Sequence, residues 1–396
     1  MAATTPEPLW EVQRIPNKGY GVIATAPIEP GTRILVEKPL YTRPMTDDPI
    51  PRQNSIVESL VQSLPGRAQR DAFHGLASSF DVLYPDHPYY SIATTNEVVL
   101  SGAQDGGGVS GLFLRWSRFN HACAPSAYWA WHDEGALKGA LTVHAIRRIQ
   151  PGDEISISYF ENRVMPHDDR ERYLAEIYCF ACDCALCSLA PGPWRDDVDE
   201  RLERLAAFWR KYHLGEANVF LIPPPLPTHL HDHPTKPTRS PPQQKQKQET
   251  GLHKTSAAIC KILKAASPSV AKQPRLSSKL RKTSTERGGG GEDGDIGGCI
   301  DITFVYEIAL ALTLVLGDAA RAAVFAARNQ ARYALTSGAD CVSALRAGRC
   351  ARNPRADRSF GALSSGGKRI IRSKAPDVDE IEEEAFEEWL WSAEDW

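Results

Sequence analysis

Cys182, Cys184 and Cys187 place three thiols within six residues, close enough to grip one ion from a single turn. Tetrahedral zinc takes thiolate sulfur at about 2.3 Å and wants a fourth ligand, usually supplied from elsewhere in the fold. Cys123 is the candidate, because none of the nine cysteines precedes it and it is well separated from the cluster. The alternative is a set of buried or free thiols. Cys179 is set aside, since its side chain can simply pack beside Tyr178. Directly upstream of Cys123 stands Asn120-His121, and Pro125 fixes the chain just beyond. An Asn-His pair in isolation reads as ordinary structural hydrogen bonding; next to a candidate ligand it reads as backbone pinned for use. Gly19-Tyr20-Gly21 allows close approach of main chain to a ligand, although such turns are also common between strands. Tyr159, at the end of Gly152-Asp153-Glu154-Ile155-Ser156-Ile157-Ser158-Tyr159, would by itself be a core residue with its hydroxyl satisfied.

The elements that must bring these residues together are short. Trp10–Arg14, Gly21–Ala24 and Arg33–Glu37 read as strands, divided by a turn bracketed by Gly19 and Gly21 and by a second turn signal at Pro30-Gly31. Residues 45–93 read as a helical insertion, with Ser55–Leu64 and Arg67–Leu76 at helical spacing. Glu97–Leu100, Tyr128–Trp131, Ala140–Ile146 and Ile155–Tyr159 are the remaining expected strands, and Gln104–Gly111 is expected to be a glycine-rich loop. Asp168–Ile177 and Asp196–Tyr212 read as helices; in the second, Val198, Leu202, Leu205, Trp209 and Tyr212 recur at three- and four-residue steps. Ile302–Leu316 and Ala319–Thr336 read as a helical hairpin divided by Gly317-Asp318. Cys341–Ala375 reads as loop.

With 396 residues the chain has room for two domains of ordinary size. Its formal net charge of −3 makes no global case for nucleic acid, but the average hides two extremes. Residues 223–298 form a Pro-, Gln-, Lys- and Ser-rich tract, with thirteen Lys or Arg against two acidic residues between Lys236 and Arg287. Such a stretch is too poor in apolar side chains to fold alone. It offers an electrostatic contact to nucleic acid or to acidic chromatin surfaces, but a solvated tether is the plainer reading. Asp377–Trp396 holds ten acidic residues and no basic one, with Phe386, Trp389, Leu390 and Trp391 interleaved. Met1–Leu9 has neither a basic start nor an apolar run, and Ile300–Leu316 is short and carries Asp301 and Glu307. An intracellular protein without a membrane span is therefore expected, in a compartment where close thiols favour metal over disulfide.

The order Lys18-Gly19-Tyr20-Gly21, then Arg118-Phe119-Asn120-His121-Ala122-Cys123-Ala124-Pro125, then Gly152–Tyr159, then Tyr178-Cys179-Phe180-Ala181-Cys182-Asp183-Cys184-Ala185-Leu186-Cys187 resembles a SET domain with its post-SET zinc motif. The resemblance is to the SET-and-MYND type and to related fungal SET-domain proteins, and it covers about residues 9–189. Ser126 stands where the family usually has Asn, and Ala122 where Ser is frequent. Residues 45–95 contain no cysteine, so a MYND finger is excluded. The resemblance implies an α+β fold: a SET domain (9–160) of small curved β-sheets with the helical insertion, and a zinc-binding post-SET segment (161–190). A helix at 195–215, the basic linker and a helical, tetratricopeptide-like region (299–340) would follow, then an irregular tail (341–396) with an acidic end.

The same resemblance implies an enzyme that binds S-adenosylmethionine and transfers its methyl group to a lysine ε-amine of a protein, histone or non-histone. Lys18, Gly19, Tyr20 and Gly21 would line the cofactor; Asn120 and His121 would hold its amino-acid portion and adenine edge; Phe180 would stack on the adenine. Asn96 matches a further cofactor-contacting asparagine, with Glu97-Val98 in place of the expected Ser-Phe. Tyr159 would sit where the lysine channel meets the methyl group, as catalytic residue and cofactor contact. Zinc on Cys123, Cys182, Cys184 and Cys187 would be structural, tying the post-SET segment over the site. A monomer in the nucleus or cytoplasm is expected. The other reading is an inactive SET fold that recruits partners.

Overall fold

The structure, a computed structural model, describes residues 8–101, 108–160, 165–213, 303–362 and 389–390. The basic tract at 223–298 and most of the acidic end lie outside these residues. The chain divides into two compact units, the first comprising residues 1–161, 167–189 and 334–342.

In the first unit β1 (Trp10–Ile15) and β2 (Gly19–Ala24) form an antiparallel hairpin in which Trp10 faces Ala24 and Ile15 faces Gly19. Its turn uses left-handed backbone at Asn17 and Gly19, the two residue types that enter that region most readily. β3 (Arg33–Glu37), β7 (Ala127–His132) and β8 (Ala140–Ala145) make an antiparallel sheet in the order β3-β8-β7. β8 is buried at every position. β4 (Tyr41–Pro44), β5 (Glu97–Ser101) and β6 (Val109–Leu112) make a second antiparallel sheet in the order β4-β6-β5. The shared core joins Val22, Ile28, Leu35, Phe113, Phe119, Leu141, Val143, Ile155 and Ile157. A separate cluster under the insertion packs Val57 and Val61 of α1 (Ile50–Gln62) and Phe73 of α2 (Arg67–His74) against Ile92 and Ala93 of α3 (Pro88–Asn96).

Three sequence expectations change, and one element is added to those expected. The added element is strand β4 (Tyr41–Pro44), with Tyr41 and Arg43 turned inward. The expected loop at Gln104–Gly111 ends in strand β6; Gly111 is there because a Cβ would lie 2.8 Å from Leu100 Cδ1 on the neighbouring strand. Ile155–Tyr159 is extended but belongs to no sheet, because its main-chain groups bond to two different segments in succession. Cys341–Ala375 opens with a helix, α8 (Val342–Arg352), rather than loop. Its buried positions are Ala344, Ala347 and Gly348, small residues that carry no large apolar signal.

α4 (His167–Tyr178) belongs to the first unit. α5 (Pro193–His213), in the second unit, buries Val198, Leu202 and Ala206. α6 (Thr303–Leu316) and α7 (Ala319–Ser337) form the expected pair, with Gly317 in left-handed backbone between them. Arg321, fully buried in the second unit, is bonded to Asp318 and to the carbonyl of Trp389. Among the described residues no helix is long and apolar enough to cross a membrane.

Glu97, where the sequence departs from the family pattern, is satisfied inside the β4-β6-β5 sheet. Arg43 Nε donates to its two oxygens at 2.8 and 3.0 Å, and Tyr41 and Ser110 donate to it as well. Both members of the ion pair are under a tenth exposed. Removing one partner strands a buried charge, at a cost of about 3–5 kcal/mol, whereas replacing both by apolar groups costs much less. Arg43→Met should lower the denaturant midpoint sharply, and Arg43→Met with Glu97→Leu should recover most of the loss.

Candidate functional site

The site is assembled by one main-chain junction. Residues 153–155 pair with β2, Ile155 N donating to Val22 O at 2.8 Å and Ala24 N to Asp153 O at 3.0 Å. The next residues switch partner: Ile157 N donates to Asn120 O and Ala122 N to Ile157 O, both at 3.0 Å, a parallel bridge centred on His121 and Ile157. Ser126 closes the junction. Its hydroxyl accepts from Ser156 N at 2.9 Å, and its own N–H reaches Ser156 Oγ at 3.3 Å. A serine in place of the family's asparagine is thus bonded and only 1% exposed.

The glycine turn lies against this junction. A Cβ on Gly21 would meet Ile15 Cδ1, and would stand 2.7 Å from Asn120 Nδ2 and 3.1 Å from Glu154 Oε1. Asn120 Nδ2 donates to Glu154 Oε1 at 2.8 Å and to Tyr20 O at 3.2 Å. Lys18 reaches Glu154 at 3.4 Å and Asp183 at 2.8 Å. Burial by itself would lower the Lys18 ammonium, but its bond to Asp183 and the charge of Glu154 outweigh it and hold it above its usual value. Asp183 lies between two of the clustered cysteines, so turn, junction and cysteine loop share one polar network.

His121 is 7% exposed and sits among aromatic rings. Its ring lies 5.2 Å from Tyr159, 4.6 Å from Phe160 and 5.9 Å from Phe180. Tyr159 also contacts Tyr178 at 5.1 Å, and the Tyr178 hydroxyl donates to the Tyr159 carbonyl at 3.2 Å. The Tyr159 hydroxyl donates to Phe119 O at 2.9 Å. Burial first, then the nearby Glu154 carboxylate, push this phenol well above the ordinary range, so it stays protonated. α4 ends at Tyr178, and Cys179 turns the chain through left-handed backbone with its side chain exposed. That turn delivers Phe180 to the ring cluster and the cysteines beyond it to Cys123.

The four sulfurs of Cys123, Cys182, Cys184 and Cys187 all lie within 4.8 Å of one another, with Cys123 3.3 Å from Cys187 and 3.9 Å from Cys182. Sulfurs at the corners of a tetrahedral zinc site stand about 3.8 Å apart, from bonds of about 2.3 Å. The donor set fits such an ion.

Of the residues singled out in sequence, Lys18, Tyr20, Gly21, Asn120, His121, Tyr159 and Phe180 are joined by these contacts, as are the four cysteines, whereas Gly19 only turns the hairpin, with open space where its Cβ would be. Asn96 is connected less directly. It is buried, and its amide donates to Ala77 O and Ile92 O at 2.7 and 2.8 Å, while its carbonyl is 3.5 Å from the Ser117 hydroxyl. Sequence reasoning missed Glu154, Asp183 and Tyr178. Only Tyr178, immediately ahead of the Cys179-Phe180 step, carried a readable signal. A cleft of ≈ 390 Å³ opens beside Tyr20, walled by Trp10, Val12, Leu114, Arg115 and Arg118. Arg118 lies over the Tyr20 ring at 5.4 Å and donates to Gly75 O.

Residues 19–160 match the SET domain family. The chain is 34% identical over 204 residues to the histone-lysine N-methyltransferase set5 of Schizosaccharomyces pombe, an alignment covering 51% of this chain and 57% of that protein. It is 28% identical over 137 residues to a SET domain-containing protein of Dictyostelium discoideum, covering 35% and 31%. It is 39% identical over 80 residues to the human protein-lysine N-trimethyltransferase SMYD5, covering 20% and 18%. The chain thus spans little more than half of the first relative's length and under a third of the other two.

Gly21→Ala should destabilise the protein by about 1–3 kcal/mol, the cost of overpacking a filled site. Chemical denaturation would measure it, and amide spectra should show the disturbance centred on Asn120 and Glu154.

Proposed function

We propose that this chain, which carries a SET domain over residues 19–160, is an S-adenosylmethionine-dependent protein-lysine methyltransferase. The observation that carries the reading is the convergence at one junction of Asn120, His121, Tyr159 and Phe180 with the glycine turn. Every mapped position holds a competent residue, which favours an enzyme over a bare recruiting scaffold. The relatives named as lysine methyltransferases point the same way.

The donor supplies a methyl group carried on a sulfonium. The protein's part is alignment and exclusion of water, because the acceptor is a simple amine that must approach in line. Asn120 is fixed by Tyr20 O and Glu154, so the main chain of the glycine turn is held where a ligand could meet it. The parallel bridge uses Asn120 O and Ala122 N, so His121's own N–H and carbonyl face the other way, suited to an adenine edge. Phe180 offers an aromatic face beside them. Asn96 would contribute through its main chain and its position beside Ser117. The Tyr159 hydroxyl gives its proton to Phe119 O and keeps oxygen lone pairs that can orient an amine N–H. The rings of Tyr159 and Tyr178 tolerate the amine in its cationic form before it loses its proton.

Cys123, Cys182, Cys184 and Cys187 would hold a structural zinc that ties the segment bearing Phe180 to the junction. The substrate would be a protein with an accessible lysine, histone or non-histone, and the α6–α7 pair would be the start of a tetratricopeptide-like region. An intracellular compartment, nuclear or cytoplasmic, would keep these thiols reduced and able to hold zinc.

Purified protein incubated with methyl-tritiated S-adenosylmethionine and a cell extract should label protein on lysine. Tyr159→Phe should lower the rate by roughly tenfold or more, about 1.4 kcal/mol of barrier, while donor binding persists. Donor binding without transfer by the unaltered protein would refute the enzyme reading. Elemental analysis should find equimolar zinc, and Cys123→Ser should lose most of it together with thermal stability.

A further inference from the structure

The His121 side chain has a task apart from the cofactor. Its Nδ1 accepts a hydrogen bond from Tyr159 N at 3.0 Å, and its Nε2 lies 3.3 Å from Cys123 Sγ. A main-chain N–H can only donate, so Nδ1 must be the bare nitrogen and the ring proton must sit on Nε2. That proton points at sulfur. Both ring nitrogens are therefore engaged inside the protein, one by the backbone of the reactive tyrosine and one by a candidate metal ligand.

We infer that His121 is a positioning residue that couples the metal centre to Tyr159: Nε2–H donates to the metal-bound thiolate of Cys123 while Nδ1 holds the Tyr159 main chain. This rests on the zinc reading above but adds a role that the four ligands do not contain. A hydrogen bond to a ligating thiolate withdraws density from sulfur, steadies the ligand's orientation, and is worth roughly 10–100-fold in metal affinity when removed. The link runs both ways, because a Cys123 thiolate drawn onto a metal fixes the ring, and the ring fixes the start of the Tyr159 residue. Phe160, Phe180 and Tyr159 pack around the imidazole and leave it little freedom to swing elsewhere.

Cobalt(II) in place of zinc gives a direct test in the full-length protein. His121→Leu should shift the thiolate-to-cobalt charge-transfer band to lower energy and speed metal extraction by a competing chelator roughly 10–100-fold. His121→Gln, whose amide can both accept and donate, should restore most of both. A merely space-filling histidine would leave the band unmoved. Because His121→Leu can fail to fold, nitrogen NMR of the unaltered zinc protein supplies a second readout: Nε2 should be the protonated nitrogen and Nδ1 the bare one. Protonated Nδ1, or a band unchanged in His121→Leu with cobalt bound, would overturn the inference alone. Failure of the unaltered chain to take up cobalt or zinc would overturn the zinc reading and this inference together.

Discussion

The hydrogen bonds between residues 120–127 and residues 156–157 are the constraint on which the remainder of the site depends. They force an extended segment to leave β2 and join a second stretch of chain within two residues. Everything with chemical character hangs from that crossing: Asn120 and His121 on one strand of it, Tyr159 at the end of the other, and Cys123 one residue past the bridge. Sheets alone would not bring these residues together, since none of them lies in a regular strand. The buried Ser126–Ser156 exchange shows how tightly the crossing is closed, because both hydroxyls serve main-chain donors rather than solvent.

A polar chain ties the other components to this crossing. Asp183 in the cysteine loop, Lys18 in the hairpin turn, Glu154 and Asn120 form consecutive contacts that end on the Tyr20 carbonyl. Singly, a partly exposed ion pair such as Lys18–Asp183 contributes little to stability. As a series these contacts set the register between three segments that are distant in sequence. The four-sulfur cluster supplies the remaining link, and a metal there would deprotonate thiols that otherwise compete for protons.

Much of this was legible beforehand because the signals were chemical. Three cysteines in six residues, Gly19-Tyr20-Gly21 and Asn120-His121 are each undecided alone, and it is their order along the chain, resembling a SET domain with its zinc motif, that implies their roles. β1, β2, β3, β7 and β8 were readable as short runs divided by turn signals. What was not legible depended on partners remote in sequence. β4 is short and acquires its identity from β6, and β6 hides behind a glycine that exists to admit Leu100. The Ile155–Tyr159 segment looks like a strand in any window, and only its change of partner shows that it is not. Glu154 and Asp183 are ordinary surface carboxylates in sequence, and their importance comes entirely from Lys18 and Asn120. α8 was missed because its packing face is alanine and glycine.

The central claim is that a metal-held cysteine loop completes a binding site built on the 120–127/156–157 crossing. Calorimetric titration of S-adenosylmethionine into the metal-loaded protein and into protein stripped by chelator tests it most directly. One equivalent should bind the loaded protein, and binding should weaken at least roughly tenfold, about 1.4 kcal/mol, once the metal is removed. Equal affinity in the two forms, or no binding to either, would contradict it.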